Sequence, residues 1–231
     1  MTKKKANAVI KPKPKTKTIT ASKVWKEPDL IRAFHLVRLT EPNPLMQEWL
    51  DTPVLTLKTS EKERFDGVFS KAVRNITGWS EEDLKMKFIT HILELGELTE
   101  DTQVIGYFEK TISAKVEDIS LVVKSDFMLA KGILDSPEKP YFHFQEYKPN
   151  KNPTGDSMAQ LLEAFLIAQV KNQDGKPLYG VEVIGKQWSF VVMQAKEYCI
   201  SESYICTKRD DLMQIIAILR KFKAILYERL L

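Results

Sequence analysis

The chain has little cysteine, histidine or glycine: two, three and nine of its 231 residues. Cys199 and Cys206 are too few for a disulfide framework, and their spacing is not that of a zinc site. They read as reduced thiols of a core, which implies a reducing compartment. His35, His91 and His143 lie far apart without ligand spacing. His35 and His91 sit in apolar helical patterns and read as structural. Gly185-Lys186 has no glycine-rich loop before it, so a P-loop is excluded. Ser157 and Ser189 have no nucleophile-elbow context. No apolar run approaches the roughly 18 to 20 residues of a membrane span. The first residues lack the apolar stretch of a secretory signal and the arginines of a mitochondrial presequence. An intracellular, cytoplasmic place follows as the expectation, with nucleoid association open.

Acid is missing from one segment altogether. Residues 1–23 hold eight lysines and no Asp or Glu. The net charge of the whole chain is +4, so the remainder stands at −4. The segment can bury too little apolar surface to offset its ordering entropy, and reads as a basic disordered tail. Its Lys3, Lys4, Lys5, Lys11, Lys13, Lys15 and Lys17 would hold nucleic-acid phosphates by counterion release. The blander reading is a solubilising leader.

Hydrophobic residues make up 43% of the chain and aromatics 10%, enough for one sizeable globular core. Apolar spacing predicts helices over 27–40, 45–50, 60–76 and 81–95. Ser60-x-x-Glu63 and Ser80 followed by Asp83 supply start signals for the last two. After Gly96 the pattern changes. Strands are expected over 104–116, 119–130 and 141–147, then a helix over 157–170. Strands over 179–184, 188–193 and 198–206 follow, and an amphipathic helix over 210–230 closes the chain. The expected domains are the tail 1–23, a helical region 24–79 and an α/β core 80–231. One crossover helix joins the third and fourth strands, so those two should run parallel in a mixed sheet. Helices on both faces would make an α/β/α sandwich.

Three charges interrupt apolar strands. Asp126 breaks the second strand, and Glu146 and Lys148 break the third. Side chains alternate along a strand, so Glu146 and Lys148 share a face while Tyr147 and His143 take the other. On neighbouring strands Asp126 would face Glu146. Two carboxylates make a hard oxygen site suited to Mg²⁺ or Mn²⁺, with the Tyr147 carbonyl as a further ligand. Such an ion polarises a phosphoryl oxygen and activates water. Lys148 would orient that water or stabilise transition-state charge. The plainer alternative is a strand-end salt bridge among the three.

In Ser125-Asp126-Phe127, in Gln145-Glu146-Tyr147-Lys148 and in the helix Gln160-Leu161-Leu162-Glu163-Ala164-Phe165, the sequence resembles the PD-(D/E)xK phosphodiesterase superfamily. The resemblance covers about residues 80–195. Ser125 stands where the family name has proline. It implies a restriction-endonuclease-like α-β-β-β-α-β core and a Mg²⁺-dependent nuclease acting on DNA. Asp126 and Glu146 would be metal ligands and Lys148 the catalytic lysine. Some members add a Glu from the first core helix. Glu82 is the choice, because it shares a face with Ile89 and Leu93 at i+7 and i+11, with Glu81 and Asp83 as rivals. Gln160 would match an auxiliary glutamine, and Lys151 with Asn152 could touch a phosphate. Alternatives are a catalytically inactive nuclease fold that binds nucleic acid, and an accessory subunit. The terminal helices offer surfaces for a partner or a second copy, without the heptads that would specify a dimer.

Overall fold

A computed structural model describes residues 24–99, 103–151 and 153–231. The seven tail lysines named above and Asn152 lie outside the described residues. Four helical segments come first: α1 (Glu27–Phe34), α2 (Pro44–Leu50), α3 (Thr59–Asn75) and α4 (Glu81–Leu84). A π-helical turn at Lys85–Ile89 carries α4 into α5 (Thr90–Leu95). The two-residue strand β1 (Val37–Arg38) lies between α1 and α2. Then follow β2 (Ile105–Val116), β3 (Ile119–Ile133), β4 (Ser136–Lys148), α6 (Ser157–Asn172), β5 (Leu178–Ile184) and β6 (Gln187–Gln194). The chain ends with β7 (Glu197–Ile200), β8 (Tyr204–Ile205) and α7 (Arg209–Ile225), which a π-helical turn extends through Leu226–Leu230.

The strands form one open mixed sheet in the order β1-β7-β6-β5-β4-β3-β2, with β8 on β6. β4 and β5 pair in parallel, as the single crossover through α6 requires. Two apolar cores flank the sheet. On one face α1 and α6 cover Tyr107, Met128 and Phe144. On the other α2, α3, α5 and α7 cover Phe127, Tyr147, Val181 and Phe190. The inner residues of β4 are buried on both faces, so His143, Gln145 and Glu146 lie away from water. Trp49 fills the second core, and its indole N–H donates to Ile218 O at 2.9 Å. Among the described residues no helix is long and apolar enough to cross a membrane.

Local chemistry explains the element ends. Asp156 caps α6 by accepting from Ala159 N at 2.9 Å, and Ser80 caps α4 through Asp83 N at 3.1 Å. α6 is buried over most of its circumference because α1 covers its outer side. Gly180 is required where α6 crosses β5: a Cβ there would stand 2.7 Å from Phe165 and 2.9 Å from Leu161.

Several boundaries correct the sequence reading. α1 stops at Phe34, because His35 turns left-handed at φ 54° and sends Val37 and Arg38 into parallel pairing with β7. The start of α3 uses Glu61, which accepts from Lys58 N at 2.8 Å, instead of Glu63. The β3–β4 hairpin is longer than apolar alternation suggests and carries polar residues to Ser136. The expected strand 198–206 is two short ones, both pairing with β6. Cys199 and Cys206 are buried free thiols.

Candidate active site

The site begins where two ladders fail at one residue. The β3–β4 ladder ends at Phe127↔Gln145. Beyond it the Asp126 carboxylate takes the place of a main-chain acceptor, and its Oδ2 accepts from Tyr147 N at 2.8 Å. The β2–β3 ladder skips the facing position, Glu109, whose φ is 57°. The sheet therefore opens around Asp126, while β4 keeps its pairing with β5 through Glu146↔Glu182 and Lys148↔Ile184. The first turn of α4 packs against this end of β4.

Four carboxylates meet there with the ammonium groups of Lys85, Lys148 and Lys124, the last through Glu109. Asp126 is 7% exposed and Glu146 is fully buried. Lys85 Nζ, on the π-helical turn, donates to Asp126 Oδ1 at 2.7 Å, to Glu81 Oε1 at 2.9 Å and to Glu109 Oε1. Lys148 stands 3.6 Å from Glu81 Oε2 and makes no ion pair with Glu146. Ser125 lies beside Glu146, but its hydroxyl donates to Phe127 O at 2.9 Å. Both Glu146 oxygens are left without a hydrogen-bond partner. The simple salt-bridge reading therefore fails at Glu146, because none of these lysines reaches it.

Electrostatics follow from that layout. Burial pushes the Glu146 pKa well above its usual 4.5, the Asp126 charge adds to the rise, and Lys148 opposes it. Burial also raises Asp126, against the Lys85 hydrogen bond and the Tyr147 N–H. Lys85 moves up instead: its three carboxylate partners outweigh its own desolvation. On the opposite face of β4, Tyr147 Oη donates to Gln145 Oε1 at 2.7 Å, and Gln145 Nε2 lies 2.8 Å from His143 Nε2. Burial holds the His143 pKa down at about 3, so this chain carries no charge at neutral pH. His143 stays behind the strand, as alternation requires.

The other residues expected at the site divide. Glu82 is exposed, and Glu81 is the helix acid that points inward. The correction has a physical cause: the π-helical turn inserts one residue, so spacing counted back from Ile89 by regular α-helix lands one position late. Lys151 is exposed on the loop after β4. Gln160 sits in the first turn of α6, where its Oε1 is buried without a partner. It lines a cavity of about 190 Å³ with Glu163, Lys124 and Trp25. Among the described residues no hydrogen bond joins Gln160 to Asp126, Glu146 or Lys148. A larger cleft of about 820 Å³ opens beside Lys148, lined also by Glu182, Ser157, Asp156, Glu27 and Arg38. That volume suits a nucleotide-sized group.

Sequence reasoning missed Lys85 and Glu109. A Glu81–Lys85 pair four apart on a helix reads as an ordinary surface ion pair. Glu109 reads as one polar residue on an amphipathic strand. Only the pairing of β2 with β3 brings Glu109 opposite Asp126.

Glu163 supplies a pH test of α6. It is buried without an ion pair among the described residues, and burial lifts its pKa from 4.5 to about 7. The folded state then binds its proton more tightly than the unfolded state does. Its contribution to stability is fully present below about pH 4.5 and is lost as pH rises towards 7. Glu163→Gln should flatten the melting-temperature profile across that window and raise the melting point at pH 8. An unchanged profile would show that Glu163 titrates normally.

No protein-family model matches the chain, and no curated protein sequence matches it.

Proposed function

We propose that the chain is a divalent-cation-dependent phosphodiesterase acting on nucleic acid, with DNA as substrate, on a restriction-endonuclease-like core. The observation that carries this reading is Glu146: a fully buried carboxylate, both oxygens unpartnered, beside Asp126. Leaving ionised oxygens buried and unpaired is costly, and a cation removes the cost. Among the described residues no group of three or more His, Cys, Asp and Glu side chains is arranged to hold a metal. Two carboxylates suffice for Mg²⁺, which uses one or two and keeps several waters. Asp126 and Glu146 would hold it. When bound, such an ion supplies positive charge to a phosphoryl oxygen and lowers the pKa of water.

The chain's own groups do the rest. Tyr147 N–H and Lys85 fix the Asp126 carboxylate from two sides. Lys148 borders the cleft with one distant acid partner, so its ammonium has donors to spare for an attacking water or a phosphoryl oxygen. The order α4/α5-β2-β3-β4-α6-β5, with β4 and β5 parallel, supports the core assignment.

The test is hydrolysis of supercoiled, linear and single-stranded DNA by the full-length protein with Mg²⁺ or Mn²⁺. Cleavage that chelator and Asp126→Ala both abolish is the expected result. Inertness on all three substrates, with no Mn²⁺ response in thermal melting, would end the reading. The Lys85–Asp126 ion pair favours a second one, a nuclease fold that binds nucleic acid without cutting it. It predicts salt-sensitive DNA binding, lost on deleting residues 1–23, and no cleavage.

A further inference from the structure

The first two turns of α6 carry two polar groups that the mechanism above does not use. Glu163 is 6% exposed, and no hydrogen bond or ion pair reaches its carboxyl among the described residues. Gln160 lies three positions earlier, on the same helix face. Its Oε1 is buried without a partner. Both residues line one cavity of about 190 Å³ between α6 and β3. Orphaned acceptors of this kind cost free energy until a donor meets them.

The rest of the lining decides which donor fits. Asp156 adds negative charge, but its oxygens are spent on main-chain N–H groups, Ala159 at 2.9 Å and Glu27 at 3.0 Å. Lys124 also lines the cavity, and its ammonium is held by Glu109. Trp25, Val122 and Val123 supply an apolar wall. An anion would meet Glu163 and Asp156. A hard metal ion keeps a shell of waters, which the apolar wall cannot hydrogen-bond, and finds one unspent carboxylate. Water can meet the acceptors but brings no charge to balance an ionised carboxyl. A primary ammonium brings both, with three N–H donors and no acceptor. The space holds roughly six waters, or a ligand of about that many heavy atoms.

We propose that this cavity binds a small primary alkylammonium. The head donates to the Glu163 carboxylate and to Gln160 Oε1, and the alkyl body lies against Trp25, Val122 and Val123. The site is separate from the cation site at Asp126 and Glu146 and does not depend on the phosphodiesterase reading.

The experiment is thermal melting of the full-length protein at pH 8, above the raised pKa of Glu163. The probes are propylammonium, tetramethylammonium and sodium chlorides at one ionic strength. Tetramethylammonium has the charge and no N–H donor. Propylammonium should raise the melting point of wild type saturably, by roughly 2–4 °C, and the other two should not. Glu163→Gln keeps the shape, removes the charge and should lose the response. Gln160→Leu should weaken it several-fold, and decides alone if Glu163→Gln does not fold. No saturable response in wild type overturns the proposal, and so does an equal response to tetramethylammonium. An undiminished response in either folded variant also overturns it, because the amine then binds elsewhere. Nα-acetyl-lysine amide at the same concentration identifies the source. A matching rise assigns the ammonium to a lysine side chain, no rise assigns it to a free amine, and either upholds the site.

Discussion

Lys148→Ala should lower the rate of DNA cleavage by roughly 10²- to 10³-fold, the usual cost of removing one group aimed at developing charge. The Mn²⁺-induced shift should survive, because Asp126 and Glu146 remain. Lys148 lies at the last position of β4 with a side chain 9% exposed, and its ion-pair partner among the described residues, Glu81, stands 3.6 Å away. Truncating a buried lysine loses the packing of its stem as well as that pair, so the metal-free melting point should fall. A lost rate beside a kept Mn²⁺ response is what makes the variant informative. A lysine that only stabilised the strand end would lose stability and keep its rate. Full activity in Lys148→Ala, measured on folded protein with saturating Mn²⁺, would remove Lys148 from the mechanism.

Glu146→Gln should reverse sign with the cation. Without metal, wild type carries a fully buried carboxylate whose oxygens have no hydrogen-bond partner among the described residues. Its pKa is raised by burial and by Asp126, so the folded state binds that proton more tightly than the unfolded state. The associated stability is present at low pH and is lost as pH climbs above about 4.5 towards the raised value. A neutral amide removes that loss. The cation-free variant should be more stable than wild type at pH 8 by about 1–3 kcal/mol, the scale of an unsatisfied buried polar group. With Mn²⁺ at a hundred times its dissociation constant, wild type should gain about 2.7 kcal/mol by mass action, and the variant almost nothing. The two melting curves should change order on adding metal. If Glu146→Gln melts lower than wild type without metal, Glu146 is a satisfied structural group and no cation site exists there.

The sequence carried the skeleton of the site. Element order from residue 81 to residue 184 was readable because apolar spacing switches between helix and strand, and because one crossover between β4 and β5 allows one parallel pair. Alternation put Glu146 and Lys148 together and sent Tyr147 and His143 to the other core. What it could not carry was anything decided by a break in periodicity. The π-helical turn at Lys85–Ile89 shifted the inward acid from Glu82 to Glu81. The skipped ladder position at Glu109 brought in a fourth carboxylate. Lys85, which joins them, has no local signal, because its partners are 4, 24 and 41 positions away. Gln160 shows the converse: a plausible letter in the right helix, with its amide oxygen lodged in a separate small cavity.

The place of Val24 bears on how a polyanion would reach the cleft. Val24 lines the cleft that Lys148 borders, and residues 1–23 are attached to it. Lys17 is seven positions before Val24 in the sequence. A polyanion caught by the tail lysines would then search for the cleft within one tethered volume instead of the bulk solution. Encounter would become an intramolecular event governed by effective concentration. Shortening the tail would act on the apparent Michaelis constant, and the turnover of substrate already in the cleft would be left alone.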